Sequence, residues 1–173
     1  MSKSLFSGIL AFSVLFIDAT PLSAQVSPPT PDDLTLHPGD TITWTPANPH
    51  KVRFGGPAEK HGATTVALTP FSDVQKVLTL QPALTANAQG IATTPGSTPV
   101  TAKVKPDAAT SGVTGFDFTC GFAPHYGLMV TVPFKIVPNT IPPQPARTLQ
   151  IGVAGGPIWV LNTPQGQKRL TLP

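Results

Sequence analysis

Residues 116–132, FDFTCGFAPHYGLMVTV, constrain the fold more than any other stretch. Phe116, Phe118 and Cys120 alternate with polar Asp117 and Thr119, the period of a strand with one face buried, so that Asp117 is expected to point outward. Beyond Met129, the residues Val130, Val132, Phe134 and Ile136 alternate again across Thr131 and Lys135. Between the two runs lie Gly121, Pro124 and Gly127, which break regular pairing and let the backbone turn. A strand, a short loop and a second strand would set Cys120, His125 and Met129 at one end of a sheet. They are the only cysteine, one of four histidines and the only methionine beyond Met1.

His125 follows Cys120 by five residues and Met129 follows His125 by four. Thiolate, imidazole and thioether together select copper among the common metals, and a trigonal site of two histidines and a cysteine with a weak axial methionine is an electron-transfer arrangement. The second imidazole is expected from His50. It follows Leu34, Leu36, Pro38, Gly39, Asp40, Ile42 and Trp44, which read as strand, turn and strand, and precedes a further alternating piece at Val52 and Phe54. Against metal binding stand two plainer readings of a single cysteine, a buried free thiol and an intermolecular bridge.

The block LTLHPGDTITWTPANPHKVRFGG, followed about seventy residues later by FDFTCGFAPHYGLM, resembles the cupredoxin family, in particular small blue copper proteins of the azurin and plastocyanin type. The likeness spans about residues 33–138, and the interval from Cys120 to Met129 is more like azurin's. It implies an all-β fold, a Greek-key antiparallel β-sandwich with one type 1 copper ion at one end. The PGD turn and the Ile-Thr-Trp strand would form the family's early hairpin. His50, Cys120 and His125 would supply the trigonal ligands and Met129 the axial one. Where the family commonly has a small polar residue after the first histidine to brace the ligand loop, this chain has Lys51, with Asn48 two before His50. Pro49 stands where some azurin-like sites offer a carbonyl oxygen as a second, distant axial contact.

At the N-terminus, Lys3 and the apolar run 5–17 read as the charged and hydrophobic parts of a secretory signal peptide, with cleavage expected after Ala24 and a periplasmic or secreted mature protein. That run is too short to span a bilayer comfortably. Residues 25–138 are expected to form the copper domain and 139–173 a proline-rich connector with a C-terminal β-hairpin extension, its short strands at Thr148–Val153, Pro157–Leu161 and Arg169–Leu172, in which Trp159 is a packing anchor. Twenty-two prolines and 11% charged residues favour strand and loop over helix. A short helical segment is expected near Ser72–Leu78 behind a polar cap, and a strand at Val100–Val104.

The formal charge of +3, without a basic run, gives no case for nucleic-acid binding. No phosphate-binding glycine loop, paired-cysteine zinc pattern or supported Ser-His-Asp set is present, and Asp117 and Glu59 have no spacing that suggests acid–base work. The chain therefore reads as a carrier and not an enzyme. His37 and His61 are expected to be solvated; they are too few for a second, catalytic copper. Apolar Phe122, Pro124 and Tyr126 around His125 would dock a redox partner, or else roof the metal and exclude water. Copper storage or delivery by the same fold, and a secreted interaction module without redox role, are the rival functions.

Overall fold

The alternating segments fold as strands in part: the run 116–120 is divided between two strands, and of the run beyond Met129 the described strand is Phe134–Ile136 alone. In the computed structural model, residues 30–128 and 131–170 are described; the expected leader, most of the lead-in that follows it, Met129, Val130 and residues 171–173 lie outside them. The strands are β1 (Thr35–Leu36), β2 (Thr41–Trp44), β3 (Val52–Phe54), β4 (Glu59–His61), β5 (Thr64–Val66), β6 (Leu78–Gln81), β7 (Ala92–Thr93), β8 (Val100–Val104), β9 (Gly115–Phe116), β10 (Thr119–Cys120), β11 (Phe134–Ile136), β12 (Thr148–Gly155), β13 (Ile158–Thr163) and β14 (Gly166–Arg169). One helix, α1 (Phe71–Val77), interrupts them. It buries Phe71, Val74 and Val77, three residues apart, on the core. No side chain caps α1; the Pro70 carbonyl accepts from the amides of Asp73 and Val74 at 2.9 and 3.1 Å instead.

β14, β13, β12, β2, β8 and β6 form a six-stranded sheet in that order. Two three-stranded sheets, β1-β11-β9 and β10-β3-β7, and the β4-β5 hairpin complete the set. An aromatic layer links these sheets. Trp44 of β2 sets its edge against Phe54 of β3 and against Phe118, with centroids 5.6 and 5.4 Å apart. Phe118 in turn meets Trp159 of β13 at 5.2 Å, and Phe116 stacks on Phe134 at 5.2 Å. Trp44, Phe54, Phe116, Phe118, Phe134 and Trp159 are all fully buried, so the core lies between the sheets.

The sequence reading needs three corrections. The strands flanking the PGD turn do not form a hairpin: β1 joins β11 while β2 joins β8 and β12, so the turn is a corner between two sheets. Nor is the pairing wholly antiparallel, because β1 runs parallel to β11 and β2 parallel to β12. Both differences have one physical cause. The unit β11–connector–β12 runs beside the unit β1–turn–β2 in the same direction, and the buried carboxylate of Asp40 joins them. Asp40 accepts from the Arg147 amide at 2.8 Å, from Arg147 Nη2 at 3.1 Å and from the His37 amide at 3.0 Å, and the Thr41 amide donates to the Arg147 carbonyl. The tail is thus bonded into the largest sheet; two of its three expected strands correspond to β12 and β13, while the third begins earlier than expected, at Gly166 in β14.

The third correction concerns Asp117, which is 5% exposed and does not face solvent. Between β9 and β10 the chain leaves one three-stranded sheet for the other, so strand alternation fails across Asp117 and Phe118. Side chains supply the missing ladder bonds. The Phe118 amide donates to Thr131 Oγ1 at 3.1 Å, the same hydroxyl donates to the Phe118 carbonyl, and Asp117 Oδ1 accepts from the Thr69 amide at 3.0 Å.

Burial pushes the Asp117 carboxyl above its ordinary value of 3.8, although its hydrogen bonds to Thr69 pull the other way. The folded protein then holds this proton more tightly than the unfolded chain. The stability so contributed is present below the ordinary value and is lost as pH rises through the raised one. Asp117→Asn keeps the acceptor for Thr69. Thermal melts between about pH 4 and about pH 7 are expected to show a shallower decline in the variant than in the wild type.

Candidate metal centre

β3 and β10 are antiparallel neighbours with Val52 opposite Cys120, and this pairing brings two distant segments to one end of their sheet. By strand alternation Val52, Phe54, Ala92 and Cys120 share the inner face, and His50 lies two residues before Val52 on the same side. The Gly121 amide donates to the Lys51 carbonyl at 2.8 Å, extending the pairing past the strand ends. The His50 amide donates to the Ala47 carbonyl at 2.7 Å, closing a tight turn before the imidazole; Pro49 within it is exposed. Thr94 fixes β3 from the other edge: its hydroxyl accepts from the Val52 amide at 3.1 Å, and its amide donates to the Val52 carbonyl at 2.9 Å. These bonds, with Lys51 where the resemblance has a small polar residue, hold the segment after His50 in place.

His125 comes from a one-turn 3-10 segment, Ala123–His125, beyond β10. Its amide donates to the Phe122 carbonyl at 2.8 Å, which folds the ring back over the strand end. The result is a compact cluster. Cys120 Sγ lies 3.5 Å from His50 Nδ1 and 3.6 Å from His125 Nδ1, and the two imidazole centroids are 5.0 Å apart. All three donor atoms lie within 4.8 Å of one another. Two ligands on one ion, with bonds of about 2.3 Å to sulfur and about 2.0–2.1 Å to nitrogen as for zinc, stand about 3.5–3.8 Å apart. The sulfur–nitrogen distances therefore suit a shared metal ion, and the cluster can hold one.

Cys120 is 1% exposed and His50 5%. Burial, and then the neighbouring His125, push the His50 imidazole below its ordinary value of 6.5, which favours the neutral form a metal needs. Trp159 stands edge-on to the His50 ring at 6.3 Å, so this residue is both a core anchor and one wall of the cluster. Phe122 stands edge-on to His125 at 4.9 Å and shields it. Tyr126 does not form part of that roof; it is 44% exposed and lies beneath the Arg53 guanidinium, 4.6 Å from Cζ to the ring centroid. Pro124 and Leu128 are exposed beside it. Met129 lies outside the described residues.

The other histidines lie outside this cluster. His37 Nδ1 is 3.0 Å from the Pro138 carbonyl. His61 is only half-buried, with Nε2 shielded and 3.6 Å from Glu59 Oε2, so the solvated reading of it was too simple. Arg53 and Glu59 had gone unnoticed as partners, yet they form a shielded ion pair next to the His125 loop. The pattern Val52-Arg53-Phe54 hides this, because period two assigns Arg53 to solvent. In fact all three β3 residues are buried.

No protein-family model, curated protein or solved structure matches the chain. Among the described residues no helix is long and apolar enough to cross a membrane.

Proposed function

We propose that the chain is a type 1 (blue) copper protein of the cupredoxin kind, a Greek-key sandwich that carries single electrons in the periplasm or outside the cell once residues 1–24 are removed. The observation that carries this reading is one buried thiol set 3.5 and 3.6 Å from the Nδ1 atoms of two imidazoles. His50, Cys120 and His125 would hold the copper, with Met129 as the axial thioether. Copper held so supplies a one-electron Cu(II)/Cu(I) couple.

The chain's own part is to fix the ligands and keep water out. The β3–β10 pairing sets His50 against Cys120, while Trp159 and Phe122 close two sides of the pair of rings. A site that cannot rearrange keeps nearly one geometry through both oxidation states. Exposed Pro124, Tyr126 and Leu128 flank His125 and form, with half-buried Phe122, the apolar surface proposed for docking a redox partner. An electron carrier is favoured over a two-copper enzyme because neither His37 nor His61 belongs to the cluster of His50, Cys120 and His125.

The test is the visible and electron-spin-resonance spectrum of the mature protein with one equivalent of Cu(II), beside Cys120→Ser. An intense thiolate-to-copper absorption and narrow hyperfine splitting are expected, both lost in the variant. Tight binding of Cu(I) without a reversible redox couple would point to storage or delivery. A weak spectrum indifferent to Cys120 would overturn copper ligation and favour an interaction module.

A further inference from the structure

Among the described residues, the loop that carries His125 has no strand pairing beyond the Gly121 amide's bond to the Lys51 carbonyl. Its internal bonds are the local turns from His125 to Phe122, Tyr126 to Ala123 and Leu128 to His125. Turns of this kind leave a loop free to swing about its ends. What restrains it lies on the outer face of β3. There Arg53, 2% exposed, pairs through Nη1 with Glu59 Oε1 and covers the Tyr126 ring with its guanidinium. The second carboxylate oxygen, Glu59 Oε2, accepts from the Gly127 amide at 3.3 Å, and the Tyr126 hydroxyl donates to the Gly121 carbonyl at 3.4 Å.

Two glycines make the fit possible. Gly127 has a φ of +75°, and a Cβ there would stand 2.9 Å from the Lys60 carbonyl of the β4–β5 hairpin. Gly121, directly after the cysteine, lacks a side chain where one would press on Thr93 and on the Cβ atoms of Lys51 and Arg53. A buried guanidinium is costly to keep without a partner, so an apolar residue would be the simpler choice at position 53 if packing were the only demand.

We infer that Arg53 and Glu59 are positioning residues for the metal centre: as one ion pair they grip Tyr126 and Gly127, and so hold the preceding His125 imidazole at ligand distance from Cys120. The inference rests on the proposed metal-binding reading for its purpose, but the bracket can be tested without metal.

The variants Glu59→Gln and Tyr126→Leu are made in the full chain, with Val74→Ala, remote from the loop, as a reference for general destabilisation. In metal-free protein, the rate at which Cys120 reacts with a disulfide reagent and the hydrogen exchange of the Gly127 amide report how often the loop opens. Glu59→Gln is expected to raise both by about tenfold, and Tyr126→Leu the thiol rate by severalfold, beyond any rise in Val74→Ala. With Cu(II), both variants should release the ion faster than wild type and show a shifted thiolate band, which Val74→Ala should not. Unchanged thiol and amide rates in the folded variants, or a rise no larger than in Val74→Ala, would overturn the inference. If Glu59→Gln does not fold, Tyr126→Leu decides alone. A wild type that binds no copper through Cys120 would sink the copper reading, while the thiol and amide rates would still decide the bracket.

Discussion

Trp159→Ala is expected to lower stability by about 3–5 kcal/mol, among the largest effects open to a single substitution in this chain. The indole is fully buried and touches both Phe118 and the His50 ring, so its loss leaves a cavity between two sheets that cannot close without moving strands. The same cavity would open beside His50. Denaturant unfolding of the metal-free variant should show the loss as a lower midpoint with an unchanged slope. Copper bound to the variant should in addition exchange with chelators faster than in wild type. A midpoint within error of the wild type would show that the tail strand does not wall the core as described.

Ending the chain at Val137 is expected to have a still larger effect: no cooperative unfolding transition at all. The truncation keeps all four proposed ligands and nearly the whole span that resembles cupredoxins, so on sequence likeness alone it ought to fold. It removes Leu149, Ile151, Trp159, Leu161 and Leu170, each at most 7% exposed in the core. At about 1.5–3 kcal/mol for each buried side chain, their loss is comparable with the whole net stability of a domain, about 5–15 kcal/mol. It also leaves the edge of β2 unpaired and Asp40 buried without Arg147. Circular dichroism and a thermal scan would decide the matter. A sharp transition would mean that 139–173 is a dispensable appendage.

His50, Cys120 and His125 were legible in the sequence because Cys120 closes an alternating run, His50 precedes another, and soft donors are scarce in this chain. The structure brings those three together. Val100–Val104 and the short helix near residue 72 were also legible, since period two and period three-to-four survive in short runs. What escaped was whatever depends on a second covering layer. Arg53, Asp117 and Thr119 all look like outward residues of half-buried strands, and all three are buried. Alternation tells which residues share a face; it does not tell whether that face is covered. The parallel pairing of β2 with β12 escaped for a related reason, because the proline-rich connector says that the chain continues but not beside which strand it returns.

The register that sets Val52 opposite Cys120 joins residues far apart in the chain, and its consequence lies in the order of events during folding. Contacts of such long sequence separation close late, after local turns and hairpins have formed. Until they close, His50 and Cys120 are not neighbours, and the thiol stands open to any oxidant present. Once β3 and β10 have met, the same sulfur is sealed at 1% exposure. The lone cysteine is therefore at hazard as a nascent residue and safe as a native one, and whatever shortens the interval before β3 and β10 meet protects the yield of intact protein.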